Sequence, residues 1–298
     1  MNRRHGARWN VLTALLLSLP VMCGLIGCTR RIEYGSVNVL EFSSTYLDKD
    51  MRIMVSLPDG FFRGGEYAVL YFIPYGGGGA GLVTHLTNSD PATVRVLQQN
   101  TGKPLIIVGV PHDGSFLLDS EPPYEVITGT SGIRFTAGRY ESYFLHEVVP
   151  RVEREYALHP SAAARYIGGY SMGGYAALRI GLSRPDLFSR IGAHSPTLFV
   201  DSLPDQIATR FMYPTEVLRA KRDPLLLELN TEALSETVVY IDTGSHDINR
   251  EACELMHQRL IDAGVTSDLR ILSGFHGATY LQTHMPEYMR FYTTVAPE

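Results

Sequence analysis

Between Ala164 and Leu182 the sequence reads Ala-Arg-Tyr-Ile-Gly-Gly-Tyr-Ser-Met-Gly-Gly-Tyr-Ala-Ala-Leu-Arg-Ile-Gly-Leu, and few folds accommodate such a stretch. A short apolar run, Tyr166 and Ile167, meets Gly168 and Gly169. Ser171 and two more glycines follow, then a helical pattern with Ala176, Ala177 and Ile180 on one face. The order is strand, sharp turn, helix. Gly169-Tyr170-Ser171-Met172-Gly173 fits the nucleophile-elbow pattern, in which a strained turn lifts a serine hydroxyl clear of a sheet. Glycine suits both flanks, since bulk would collide where the helix doubles back over its strand. The five-residue pattern alone is weak. Its strand–helix frame makes Ser171 a candidate nucleophile.

The rest of the chain supplies a sheet to carry that turn. Val37 to Phe42 and Arg52 to Leu57 alternate apolar and polar residues, as half-buried strands do. Tyr67 to Ile73, Leu105 to Val110 and Val238 to Ile241, which Asp242 closes, are continuous apolar runs, the signature of strands covered on both faces. Ile191 to His194 and Leu269 to Leu272 read as shorter strands. Helices are expected after Asp90-Pro91, from Tyr140 with Phe144, Val148 and Val152 inward and a distortion near Pro150, from Asn249 to Ala263, and from about Thr279 to Tyr292. Asp223-Pro224 is expected to open another helix. Residues 113–138 read as a long loop. Strands alternating with helices predict a mostly parallel central sheet with helices on both faces and an antiparallel N-terminal edge.

In such sheets reactive loops gather at the carboxyl ends of the strands. Four segments end there with suitable groups: the glycine run Gly76–Gly79, Ser171, the loop from Asp242 to Asp247, and His276. Serine becomes a nucleophile when a histidine takes its proton and a carboxylate orients that histidine. His276, on the last strand-to-helix loop, is expected as the base. His112 and His246 are rivals on neighbouring loops, read as substrate-side or structural. For the acid, Asp247 lies on a loop free to turn, whereas the pleat fixes the direction of Asp242. No histidine or cysteine group has metal-ligand spacing, so no metal site is expected.

The first 28 residues are a different material. Arg3, Arg4 and Arg8 precede an apolar run from Val11 to Ile26, with no acid before Glu33. This is the pattern of a secretory signal. Its end, Leu25-Ile26-Gly27-Cys28, is similar to a bacterial lipoprotein signal, in which the cysteine is lipidated. The expected organisation is a leader over 1–27, a tether over 28–34 and one catalytic domain over 35–298, exported and held at a membrane through Cys28. The 298-residue chain carries 26 Lys and Arg against 31 Asp and Glu, a net charge of −5. Removing the leader takes three arginines and no acids, leaving 23 basic residues against the same 31 acidic ones, a net −8. With no basic block, nucleic acid is not an expected partner. Once Cys28 is lipidated, Cys253 is the sole remaining thiol, which excludes an intramolecular disulfide.

Four passages together carry a family resemblance: Val69-Leu-Tyr-Phe-Ile73 with its glycines, Gly169-Tyr-Ser-Met-Gly-Gly174, Gly244-Ser-His-Asp247 and Gly274-Phe-His276. Pro185-Asp-Leu-Phe188 adds to them. The chain resembles the putative-esterase family that includes esterase D, S-formylglutathione hydrolase, feruloyl esterases and the mycolyltransferases, over about residues 35–295. The resemblance implies an α/β-hydrolase fold, a serine esterase without a cofactor, and Ser171 as nucleophile, Asp247 as acid and His276 as base. The oxyanion is then expected to meet the N–H of Met172 and a second N–H from Gly76, or from its neighbours Tyr75 and Gly77. Two departures stand out. The family usually has His-Gly where this chain has Pro74-Tyr75, and often an aromatic residue where Ala278 stands. An acyltransferase with the same three residues, and a lipid-anchored binding protein that keeps the fold without catalysis, are the alternative readings. Residues 113–138 and 196–236 carry no motif that names the ester.

Overall fold

The computed structural model describes residues 30–31, 37–58, 60–76, 104–128, 134–200 and 211–294. The leader, Cys28, Gly77 and the helix expected after Asp90-Pro91 lie outside the described residues. Nine strands form one sheet: β1 (Arg30–Arg31), β2 (Val37–Ser44), β3 (Lys49–Ser56), β4 (Ala68–Ile73), β5 (Leu105–Gly109), β8 (Arg165–Tyr170), β9 (Arg190–His194), β10 (Val238–Gly244) and β11 (Thr266–Leu272). Their order is β1-β2-β3-β5-β4-β8-β9-β10-β11. From β5 to β11 the pairs are parallel, and β1, β2 and β3 form the antiparallel edge. Every parallel strand therefore ends on the same rim, and the register puts Ile73 beside Gly169, and Tyr170 and Asp242 beside His194.

The apolar run of β4 shows why no polar residue interrupts it. Val69, Tyr71 and Ile73 point into one core layer, and Ala68, Leu70 and Phe72 into the other. The first layer is closed by α1 (residues 140–156), α2 (Met172–Ser183) and α4 (Arg250–Asp262), through Phe144, Val148, Val152, Tyr175, Ala176, Met256 and Leu260. The second is closed, among the described residues, by α5 (Ala278–Thr293), through Tyr280, Leu281, Met285, Tyr288 and Tyr292. Each large side chain buried in this way contributes about 1.5–3 kcal/mol. A mostly parallel sheet wrapped on both faces, with a serine turn at its carboxyl rim, is the α/β-hydrolase fold.

Helix α1 runs in three continuous pieces, Tyr140–Tyr143, Phe144–Val148 and Val149–Tyr156, the middle one wound with wide π-type turns. Pro150 offers no N–H to the carbonyl four residues earlier, so the distortion expected there falls in the turn just before it. Two expectations need correction. Asp223-Pro224 closes a helix instead of opening one: α3 is Glu216–Arg222, and the Asp223 carboxylate accepts the N–H of Leu225 at 3.0 Å in a turn. The stretch 113–138 also contains a small antiparallel hairpin, β6 (Val126–Thr128) with β7 (Arg134–Thr136), whose three-residue strands are too short to show alternation.

Candidate active site

At the rim, β8 passes into α2 through Ser171, whose φ of 59° and ψ of −116° lie outside the regions an L-residue prefers. The turn is bolted in place. The Ser171 N–H donates to the His194 carbonyl of β9 at 2.9 Å, and its own carbonyl accepts from Tyr175 at 3.1 Å and Thr197 at 3.0 Å. Helix α2 can lie this close to the sheet because a Cβ on Gly173 would stand 2.0 Å from the Ile73 carbonyl oxygen and 2.6 Å from that of Pro74. The strain thus raises the Ser171 hydroxyl at a fixed spot above the ends of β4 and β8.

The chain brings Asp247 and His276 to that hydroxyl. Beyond β11, His276 places Nε2 2.8 Å from Ser171 Oγ. Its Nδ1 lies 3.0 Å from Asp247 Oδ2, which comes from the loop after β10. Asp247 accepts only, so Nδ1 carries the proton and the Nε2 lone pair is free to face the serine. The Asp247 side chain is fully buried, whereas that of His276 is 29% exposed. Burial alone would raise the Asp247 carboxyl, but hydrogen bonds from His276, from the Ser195 hydroxyl and from the Asn249 N–H hold it below the ordinary carboxylate value. The carboxylate is therefore ionised and gripped on both oxygens. Behind the imidazole the Tyr170 ring packs 5.4 Å from it, and the Tyr170 hydroxyl both accepts from and donates to the Gly277 backbone, at 2.8 and 2.9 Å.

Met172, next to the serine in sequence, packs with Gly76. Met172 is the first residue of α2, so its N–H has no acceptor within the helix. Gly76 packs on the Met172 side chain so closely that a Cβ there would fall 2.2 Å from Sδ. Tyr75 turns its ring edge-on to Tyr170, 6.4 Å away.

The remaining candidates go elsewhere. Asp242 is fully buried with its carboxylate 2.6 Å from His194 Nδ1, and it also accepts from the hydroxyls of Tyr280 at 2.8 Å and Tyr288 at 3.1 Å. His246 is exposed, stacked on Phe275 and hydrogen-bonded to Ser245. His112 is buried against the Pro74 carbonyl. Cys253 is a buried free thiol, and burial pushes its pKa up.

Four residues of the site were not among the candidates read from the sequence. Ser195 sits at a φ of 45° just beyond β9 and binds Asp247, and its Oγ lies 3.1 Å from His276 Nδ1. Thr197 brings Oγ1 to 3.1 Å from Ser171 Oγ. Asn249 donates both N–H and Nδ2 to Asp247 Oδ1, and Tyr170 braces the histidine turn. For Ser195 the pointer was available, since it follows a strand at the reactive rim.

Three comparisons bear on this arrangement. A family model described as "Putative esterase" matches residues 44–290. The chain is 25% identical over 260 residues to the uncharacterized protein YjcH of Bacillus subtilis (strain 168), covering 83% of this chain and 93% of that one. Among solved structures it is similar to a ferulic acid esterase, at a TM-score of 0.69 and 21% identity over 86% of this chain and 96% of the other. It is also similar to an S-formylglutathione hydrolase from Agrobacterium tumefaciens, at a TM-score of 0.68 and 17% identity over 89% and 97%.

Proposed function

Since the chain belongs to the putative esterase family and is a serine hydrolase acting on carboxylic esters, we propose that it works through an acyl-enzyme on Ser171. His276 takes the hydroxyl proton as Ser171 Oγ attacks the ester carbonyl, and Asp247 stabilises the imidazolium that forms. The tetrahedral oxyanion is met by the Met172 N–H and by a second N–H from Tyr75–Gly76. His276 then returns its proton to the leaving alcohol, the acyl group stays on Ser171, and a water deprotonated by His276 releases the acid. Each of these steps uses the chain's own groups and water. The observation that carries the reading is the continuous relay from Ser171 Oγ through His276 to an ionised, buried Asp247, at 2.8 and 3.0 Å.

A fluorophosphonate probe tests it, because only an activated serine reacts. The wild-type protein is expected to label and to hydrolyse p-nitrophenyl acetate. Ser171→Ala should abolish both while keeping its melting temperature near wild type, since the hydroxyl adds little to folding. Retained labelling in Ser171→Ala would move the nucleophile elsewhere.

The same reading extends to location: an exported enzyme held at a bacterial membrane by lipid on Cys28. The basic n-region, the apolar run and Leu25-Ile26-Gly27-Cys28 support it. Cys28→Ser should release the protein into the soluble fraction with unchanged hydrolysis per molecule, because anchoring then has no acyl chain. A Cys28→Ser protein that sediments with membranes after a salt wash refutes the anchor.

A further inference from the structure

The loop after β5 holds a histidine that the hydrolytic relay does not use. His112 is 1% exposed, and its Nε2 lies 2.9 Å from the carbonyl oxygen of Pro74. A carbonyl can only accept, so Nε2 carries the proton. Nδ1 is buried without a hydrogen-bond partner among the described residues. Burial holds the imidazole below the ordinary histidine value, although the Pro74 carbonyl and Asp113 pull the other way. The ring is therefore a neutral group whose Nε2–H donates to the Pro74 backbone oxygen.

That oxygen sits at a critical place. The β4–β5 ladder ends where the Val110 N–H donates to the Phe72 carbonyl at 3.0 Å. Two residues further along β4, Pro74 is held by a side chain. The Pro74 carbonyl and the Tyr75 N–H are two ends of one planar peptide unit, so fixing the first fixes the direction of the second. Gly76 follows directly and is pressed on Met172. The segment expected to give the second oxyanion N–H is thus clamped at its start by His112.

The support of His112 is itself rigid. Asp113, Gly114, Phe116 and Leu117 all have φ between 49° and 78°, a run of left-handed residues that persists only where the surroundings over-determine it. Asp113 is tied to Lys49 Nζ at 2.6 Å and to the Tyr140 hydroxyl at 2.8 Å. Arg179 of α2 donates to the Leu117 carbonyl at 2.6 Å, and Phe116 packs edge-on against Tyr175 of the same helix. One helix therefore carries the serine turn and braces the loop that bears His112.

We propose that His112 is a positioning residue for the oxyanion site, whose Nε2–H locks the Pro74–Tyr75 peptide so that Tyr75–Gly76 presents its N–H to the transition state. The proposal rests on the esterase reading above. Its test compares His112→Gln, His112→Asn and His112→Leu on p-nitrophenyl acetate, with Ser171→Ala alongside. The glutamine amide reaches the position of Nε2, the asparagine amide stops at that of Nδ1, and leucine fills space without a donor. His112→Leu and His112→Asn should lose kcat on the order of 10²-fold or more with KM nearly unchanged, the pattern of a displaced oxyanion donor. His112→Gln should stay within about tenfold of wild type, well short of the 10²-fold or greater loss expected for a removed donor. Wild-type kcat in His112→Leu, or equal kcat in His112→Gln and His112→Asn, overturns the proposal; where leucine prevents folding, the Gln–Asn comparison alone decides. Failure of the underlying reading looks different: Ser171→Ala would then remain active.

Discussion

Two aspartates stand five residues apart, Asp242 within β10 and Asp247 on the loop after it, and their neighbours differ. Asp247 faces His276 on the rim, whereas Asp242 is enclosed with His194, Tyr280 and Tyr288 beneath it. Asp247→Asn is expected to fold and to lose on the order of 10⁴ in kcat, because the histidine loses its preferred tautomer. Asp242→Ala should instead lower stability, by about 1–3 kcal/mol for each buried donor of His194, Tyr280 and Tyr288 left without its acceptor. Its kcat should fall far less. Measuring kcat and urea melts for both variants checks this, and a catalytic collapse confined to Asp242→Ala would reverse the roles. The Asp247 carboxyl, held below its ordinary value of 3.8, contributes stability that is present above that value and is lost as pH falls through the lower folded value. The stability gap between wild type and Asp247→Asn should therefore be full at neutral pH and close as the pH drops below about 4.

Between elements, the contact that matters most is α2 on the end of β4. Gly173→Ala would drive a methyl into the carbonyls of Ile73 and Pro74, which are backbone atoms of the strand end and cannot swing away. A cost of about 1–3 kcal/mol is expected, together with a drop in kcat as Tyr75–Gly76 shifts. Gly181→Ala, on the same helix, meets first the side chains of Ile191 and Ile167 and should lower the melting temperature while leaving kcat near wild type. Activity assays and thermal melts on the pair check the contrast. At this scale the sequence was a good guide to strands and to the order of Ser171, Asp247 and His276, because two covered faces demand unbroken apolar runs and α/β topology sends every strand end to one rim. It did not single out Ser195, Thr197 or Asn249, and it read His112 only as substrate-side or structural. Their places depend on left-handed turns and on which loops meet across the rim, and neither has a period to read. Asp223-Pro224 misled for a related reason, since the same dipeptide can cap a helix or stop one, and only the fate of the following backbone tells which.

Across the whole molecule, α5 closes one face of the sheet. Its Tyr292 hydroxyl reaches 2.9 Å from His194 Nε2 and lies so close to paired Gly168 and Gly192 that a Cβ on either would fall within 1.9 Å of it. Tyr280 and Tyr288 bring their hydroxyls to Asp242. A chain ending at residue 277 would still contain Ser171, Asp247 and His276. It is nevertheless expected to lose fluorophosphonate labelling and most of its near-ultraviolet circular dichroism, because Leu70, Phe72, Tyr166 and Tyr170 lose their cover and the Asp242–His194 pair loses its hydroxyls. Labelling at the wild-type rate in that chain would show that the helix is dispensable.

The position of α5 after every strand of the sheet also sets a schedule. A ribosome releases the serine turn more than a hundred residues before the helix that completes the sheet beneath it. Through that interval Ser171 waits without His276 beside it. The rim is complete only once α5 has been made, so a chain broken between His276 and Tyr292 would keep Ser171, Asp247 and His276 yet leave the sheet beneath them uncovered.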